Sequence, residues 1–318
     1  MRQLKVATYN IDGLPHTLDL NDLPVIFRPI AWIYRLVKGT TVITVNDNDS
    51  KAKCVQCISK FLHGSGADII GVQEDFNYHK ELMEFLSDYK CGTHTGGFDL
   101  KKLFFSVEWH SCFPFPRFKA DGLNLLAKNH RVNIMYEDIV CWDKSYGYFK
   151  HANDKLIHKG FRRYSVVVDY EINIDLYIIH MDADFYHPVH CPDITGDIRA
   201  REAQLKQLAE YIISRADSGL CDPIVIMGDT NSLYKYSWDR DNIQKNLIEP
   251  LNALPLITVS EALPEGDDVD RIFYVNNRIA EYQLTLKECC YGNNYDSEVG
   301  TVSDHHPLFA VFGIEENI

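Results

Sequence analysis

No stretch of this chain is long and apolar enough to span a membrane, and its first residues carry no apolar run of secretory type. Positive charge is also in short supply. There are 32 Lys and Arg against 45 Asp and Glu, a net charge of −13. Long phosphate polymers are held largely by Lys and Arg, so the totals argue against a non-specific duplex binder, although a local basic patch can coexist with them. Internal repeats, low-complexity segments and linkers are absent, which excludes solenoids and strings of small modules. Nine cysteines is an odd count, so they cannot all pair with one another. Cys54 and Cys57 have Cys-x-x-Cys spacing, but no second pair and no nearby His completes a zinc set. They read as one turn apart in a helix, and the adjacent Cys289 and Cys290 as facing opposite sides of a strand. Buried free thiols fit a reducing compartment, so the expectation is a cytoplasmic protein unless a leader has been trimmed from the chain.

What is present is core material. Of 318 residues, 46% are hydrophobic and 12% aromatic, enough for one large domain over 1–318. Two stretches read as insertions, at about 16–50 and 92–120. Strands are expected at Leu4–Asn10, Asp68–Glu74, Gly122–Lys128, Pro223–Asp229, Leu256–Ser260, Arg271–Val275 and Leu308–Phe312. Tyr164–Glu171 and Ile174–Asp182 read as a hairpin turning at Ile172 and Asn173. Helices are expected at Ser50–His63, His79–Asp88 and Ile198–Arg215, the last with Leu205, Leu208 and Ile212 on one face. Many strands, few helices and short connections suit two packed sheets with outer helices rather than one doubly wound parallel sheet.

The strand ends carry the chemistry. "TYNIDGLP" leaves its strand at Asn10 and Asp12, "GVQED" at Glu74, "HMDAD" at His180, Asp182 and Asp184, and "GDTN" at Asp229 and Asn231. "VDRIFY" enters its strand at Asp270, and "SDHHPL" at Asp304, His305 and His306. One such end is an ordinary turn, since Asn, Asp, Gly and Pro are turn residues. Repeated, they indicate a polar cleft at one rim of a sheet pair. Hydrolysis of a phosphate ester needs such a set. Mg²⁺ takes oxygen ligands and neutralises phosphate charge, while an Asp or His orients and deprotonates water.

These six motifs, in this order from residue 8 to residue 308, resemble those of the endonuclease/exonuclease/phosphatase superfamily. The resemblance implies an α/β fold, a four-layer α/β/β/α sandwich of two mostly antiparallel, mixed sheets with outer helices. It implies a phosphoric ester hydrolase dependent on Mg²⁺, with Mn²⁺ as substitute. Asn10 and Glu74 match the metal pole, with Asp12 and Asp304 beside it. His180 matches the His that contacts the scissile phosphate. Asp229 matches the carboxylate that activates the nucleophile, Asn231 its phosphate-binding partner, and His305 the catalytic His oriented by Asp270.

Branch features are mixed. Lys159-Gly160, "KADGLNLLAK" with Asp121, and "HMDAD" followed by "DIRAREAQLKQL" resemble bacterial sphingomyelinase-like members. "TYNIDGL" and "GDTN" resemble tyrosyl-DNA phosphodiesterases. Residues 23–38 and 103–118 are rich in aromatic and aliphatic side chains. They read as a greasy wall for a lipid, as a membrane-surface contact, or as segments packed on the body. The favoured expectation is a monomer acting on a lipid headgroup or small organic phosphodiester. A nuclease or DNA-end-processing enzyme, an inositol-phosphate phosphatase, and an inactive phosphate-ligand binder are the alternatives.

Overall fold

The computed structural model describes residues 2–13, 16–19, 26, 28–38, 42–45, 48–76, 78–94, 121–145, 159–184, 195–217 and 222–317. Along the first half run β1 (Arg2–Asn10), β2 (His16–Asp19), β3 (Val42–Val45), β4 (Ile69–Gln73), β5 (Tyr89–Cys91), β6 (Asn124–Lys128), β7 (Val132–Cys141) and β8 (Gly160–Val168). Then come β9 (Ile172–His180), β10 (Ile224–Asp229), β11 (Ile257–Ala262), β12 (Asp270–Asn277), β13 (Tyr282–Tyr291), β14 (Tyr295–Asp296), β15 (Gly300–Thr301) and β16 (Leu308–Glu316).

Two six-stranded sheets form, in the orders β13-β16-β1-β4-β6-β5 and β11-β12-β10-β9-β8-β7. Alternation along β1 sends Leu4 and Val6 to one face and Ala7 and Tyr9 to the other. Leu4 and Val6 meet Ile178, Val225 and Met227 of the second sheet in the central core. Ala7 and Tyr9 lie beneath the helix Asn48–Ser65, whose Val55, Ile58 and Leu62 point inward. On the opposite outer face, the helix Thr195–Asp217 lays Leu205, Leu208 and Ile212 over Tyr177, Ile179 and Ile226. The layers are therefore helix, sheet, sheet, helix, the expected sandwich.

Each sheet has one parallel pair. β1 runs parallel to β4, with Asn10 opposite Gln73, and β9 runs parallel to β10, with His180 opposite Asp229. The other neighbours are antiparallel. The carboxyl ends of both parallel pairs reach the same rim, and β12 and β16 enter there.

Several expectations need correction. The β8–β9 hairpin turns at Asp169 and Tyr170, not at Ile172 and Asn173. Both turn residues have positive φ, 50° and 63°, and the Glu171 N–H donates to the Val168 carbonyl at 3.1 Å, so that three residues join Val168 to its partner Ile172. The helix expected over His79–Asp88 spans only His79–Leu82, and the chain turns to enter β5. The stretch 16–50 contains the β2–β3 hairpin and the helix Arg28–Lys38. Both oxygens of Asp121 bind the buried Arg162 guanidinium, at 2.5 and 2.6 Å. Cys54 and Cys57 do share the helix Asn48–Ser65, and both are free thiols. The aromatic stretch 103–118 lies outside the described residues. Among the described residues, no helix is long and apolar enough to cross a membrane.

Candidate active site

Asp229 is the hub of the rim. Its Oδ2 lies 3.1 Å from Asn10 Nδ2, 3.3 Å from His180 Nε2 and 3.8 Å from His305 Nε2. Its Oδ1 accepts the Asn231 backbone N–H at 2.8 Å. Asn10 spans the cleft, with Nδ2 also 3.3 Å from Glu74 Oε1 and 3.3 Å from His305 Nε2. On the far side, His305 Nδ1 meets Asp270 Oδ2 at 2.6 Å. The register explains the convergence, because Asp270 pairs with Asp229 and Asp229 with His180 in neighbouring strands.

Backbone geometry holds these groups at a local cost. Asp12, Glu74 and Asn231 have φ of 47°, 61° and 49°. Left-handed backbone in a non-glycine residue costs on the order of 1 kcal/mol and clusters at functional sites. Gly13 is required beside them: a Cβ there would lie 2.2 Å from the Glu74 carbonyl oxygen. Ser303 Oγ donates to the Asn10 carbonyl at 2.8 Å and accepts the His305 N–H at 3.2 Å, joining two of the strand ends.

Charge follows from burial. Burial pushes Glu74 up to about 7, against the pull of Lys159. A carboxyl in that state has too little positive charge near it. His180 is lowered to about 4, first by burial and then by the Lys159 ammonium 2.8 Å away, so it is neutral. Burial also lowers Lys159, which the carboxylates Asp229, Asp182 and Glu74 oppose. Asp229 would be raised by burial, but His180, His305 and Lys159 outweigh it and hold the carboxyl below its ordinary range. His305 loses basicity by burial, yet Asp270 raises it to about 11. Burial pushes Asp270 up to about 7, with His305 pulling the other way. We assign the proton to His305, because so short a nitrogen–oxygen contact between buried partners fits a charge-assisted bond.

Seven of the nine sequence-predicted residues meet here: Asn10, Glu74, His180, Asp229, Asn231, Asp270 and His305. Asn231 turns its side-chain Nδ2 onto the Met181 carbonyl at 2.9 Å. The other two stand at the margin. Asp12 pairs with Lys51, and Asp304 is 76% exposed with its Oδ1 3.8 Å from His305 Nε2. Asp184 binds Arg201 at 2.6 Å, and His306 lies 3.3 Å from Asp268. Lys159 is the site residue whose role sequence reasoning missed. Its signal was the Lys-Gly pair preceding β8, which places Nζ on His180 and on the Met181 carbonyl, each at 2.8 Å. Trp142 was also missed, and its Nε1–H donates to the His180 carbonyl at 2.8 Å.

The hard oxygen donors at the pole are the Glu74 and Asp229 carboxylates; Asn10 turns Nδ2 toward both, while its Oδ1 accepts the Asp12 backbone N–H at 3.0 Å. Such donors suit Mg²⁺ or Mn²⁺. Burial disfavours the charged form of Glu74, and a cation beside it would favour that form. Asp268, Asp270 and His305 are also close enough together to share an ion, but Asp270 is committed to His305.

No protein-family model matches the chain, and no curated protein sequence matches it. Solved structures do. TDP2 of D. rerio, complexed with single strand DNA product, is 13% identical, covering 98% of this chain and 99% of that chain with a TM-score of 0.59. An endonuclease/exonuclease/phosphatase family protein from Bacteroides thetaiotaomicron is 14% identical, covering 99% and 98% with a TM-score of 0.57. Beta toxin from Staphylococcus aureus is 14% identical, covering 96% and 99% with a TM-score of 0.59. The likeness lies in the fold: this chain has the endonuclease/exonuclease/phosphatase fold.

Proposed function

We propose that the chain is a divalent-metal-dependent phosphoester hydrolase, and that it acts on a lipid or small organic phosphodiester. The observation that carries the hydrolase reading is the Asp229 carboxylate, ringed by Asn10, His180 and His305 and flanked by the His305–Asp270 pair.

Glu74 would hold Mg²⁺ or Mn²⁺, joined by Asn10 once its amide turns over to present Oδ1. When bound, the ion supplies positive charge to a phosphoryl oxygen. The chain's own residues do the rest. His305, charged through Asp270, offers Nε2–H to a phosphoryl oxygen and stabilises the negative charge that builds there. Lys159 Nζ holds His180 Nε2 and the Met181 carbonyl in place, each at 2.8 Å. Asp229 Oδ2 orients the attacking water and receives its proton. Asn231 is fixed by its contacts with Asp229 and the Met181 carbonyl, and so offers a neutral group at the phosphate without repelling it.

The substrate class rests on two features. The chain is acidic, which disfavours a polyanion. The helix Arg28–Lys38 turns an apolar face outward: Ile30, Ile33 and Val37 are 54%, 55% and 61% exposed. Three basic residues, Arg28, Arg35 and Lys38, and no acidic one complete that helix, a composition suited to an anionic lipid surface. The likeness to a TDP2 that holds single strand DNA favours a second reading, DNA-end processing. A panel of sphingomyelin, a choline phosphodiester, single- and double-stranded DNA, a 5′-tyrosyl oligonucleotide and inositol phosphates separates the two. Turnover of the lipid or choline diester supports the first reading. Turnover confined to the oligonucleotides overturns it. Specific binding with no turnover on any of them identifies an inactive binder.

A further inference from the structure

Outside the cleft, one cluster is left unexplained by hydrolysis. Asp75 follows Glu74, yet its carboxylate turns away from the cleft groups. Oδ2 meets His79 Nδ1 at 2.7 Å and accepts from Asn124 Nδ2 at 2.9 Å. Oδ1 is buried with no hydrogen-bond partner, and Asp75 as a whole is 1% exposed. An ion pair with His79 accounts for one oxygen only. A buried carboxylate oxygen left unsatisfied is costly. His94 Nε2 approaches it only to 3.7 Å and sits 2.9 Å from the Asp75 backbone carbonyl. The His79 and His94 rings stack, with centroids 4.1 Å apart.

We propose that Asp75, His79 and His94 form a second metal site, separate from the cleft and suited to an ion of the zinc class. The donor atoms of these three residues lie within 4.8 Å of one another. Two ligands bound to one tetrahedral ion at zinc distances lie about 3.4 Å apart. His79 Nδ1 lies 2.7 Å from Asp75 Oδ2 and His94 Nε2 3.7 Å from Asp75 Oδ1, on either side of that spacing. Two imidazoles and one carboxylate favour a borderline transition metal over Mg²⁺. Coordination exchanges the two histidine hydrogen bonds for bonds to the ion and gives the orphaned Oδ1 a partner. Asn124 then serves as the outer group that fixes the carboxylate. Among the described residues there are three such ligands, and a tetrahedral ion takes a fourth. Cys91 Sγ, 3.9 Å from His79 Nε2, faces the other nitrogen of that ring. The ion would clamp Asp75, just past β4, to His94, just past β5, and so pin the backbone that carries Glu74.

The test is calorimetric titration of Zn²⁺ into the chelator-treated full chain, with Mg²⁺ in excess. It is repeated on Glu74→Gln, His79→Ala, His94→Ala and His94→Gln, with circular dichroism confirming that each variant folds. One equivalent of Zn²⁺ is expected in the wild type and in Glu74→Gln. Affinity is expected to fall by about 100-fold or more in the folded histidine variants, because even outer-shell changes cost up to that much. With Co²⁺ as probe, the wild type should show the intense absorption of a four-coordinate ion, and His94→Gln should lose it. Three results overturn the proposal: no Zn²⁺ binding, binding undiminished in the histidine variants, or binding lost in Glu74→Gln and kept in His94→Ala. None of these readouts is turnover, so the site stands or falls independently of the hydrolase reading.

Discussion

The charge on His305 is the most consequential state of a single side chain in the cleft. Asp270 raises this histidine from its ordinary 6.5 to about 11. A group raised on folding contributes stability that is complete below its unfolded pKa and lost as pH rises through the folded one. The pair's contribution to the fold is therefore complete below about pH 6.5, falls progressively above it and is lost above about pH 11. NMR of the labelled imidazole is expected to show His305 charged and unchanged between about pH 6 and about pH 9, far above the usual histidine range. In Asp270→Asn the same signals should titrate near or below the ordinary histidine value. A wild-type His305 that titrates near 6.5 would show that Asp270 does not hold the proton there. Residues of this kind were legible because each abuts an apolar run that needs no other explanation. Lys159 was less legible. Its role depends on β8 and β9 lying side by side, and no local pattern states that Lys159 will reach His180.

Among the elements, legibility followed regularity. β1, β4, β9 and β10 are apolar runs buried almost throughout, and their positions were expected to within a few residues. β7 and β13 were not expected. Each is half exposed, and each carries a register shift, between Ile134 and Tyr136 and between Leu286 and Glu288. A bulge adds one residue to a strand and breaks the period-two pattern on which strand reading rests. The helical stretch Ser237–Asn252 was missed for a related reason. It has a π-helical segment at Gln244–Ile248, although Ile243, Leu247 and Leu251 keep the spacing of one buried face. The β7–β8 pair also holds an internal charge network. Arg162, fully buried, binds Asp121 on both oxygens and Glu137 at 2.9 Å. Removing one partner of a buried pair leaves the other uncompensated, at roughly 3–5 kcal/mol. Asp121→Asn should lower the chemical-denaturation midpoint accordingly. A loss under about 1 kcal/mol would show that Glu137 and the backbone suffice to hold Arg162.

For the whole molecule, the sandwich explains why residues 219 positions apart, Asn10 and Asp229, share a hydrogen bond. Each sheet places one parallel pair at the same rim, so one polar cleft forms at the ends of four strands. The sequence order of the motifs made this arrangement readable, whereas the substrate was not, because the patterns of the insertions at about 16–50 and 92–120 fit several partners. The exposed face of the helix Arg28–Lys38 makes a prediction at this scale. Vesicles rich in anionic lipid should bind the protein and shift the fluorescence of Trp32, which is 64% exposed. Ile33→Asp should abolish that binding and leave turnover of a soluble phosphodiester unchanged. Equal vesicle binding by the variant would remove this helix from the account.

The claim on which the account turns is that the cleft cleaves phosphoesters with a divalent ion. The most direct measurement is turnover of a soluble chromogenic phosphodiester with Mg²⁺ or Mn²⁺ and with chelator, for the wild type and His305→Ala. The account predicts ion-dependent turnover that falls by about 100-fold or more in the variant, the scale expected of a positioned proton-transferring or charge-stabilising group. Ion-dependent turnover of equal rate in wild type and His305→Ala would place the chemistry somewhere other than this cleft and contradict the account.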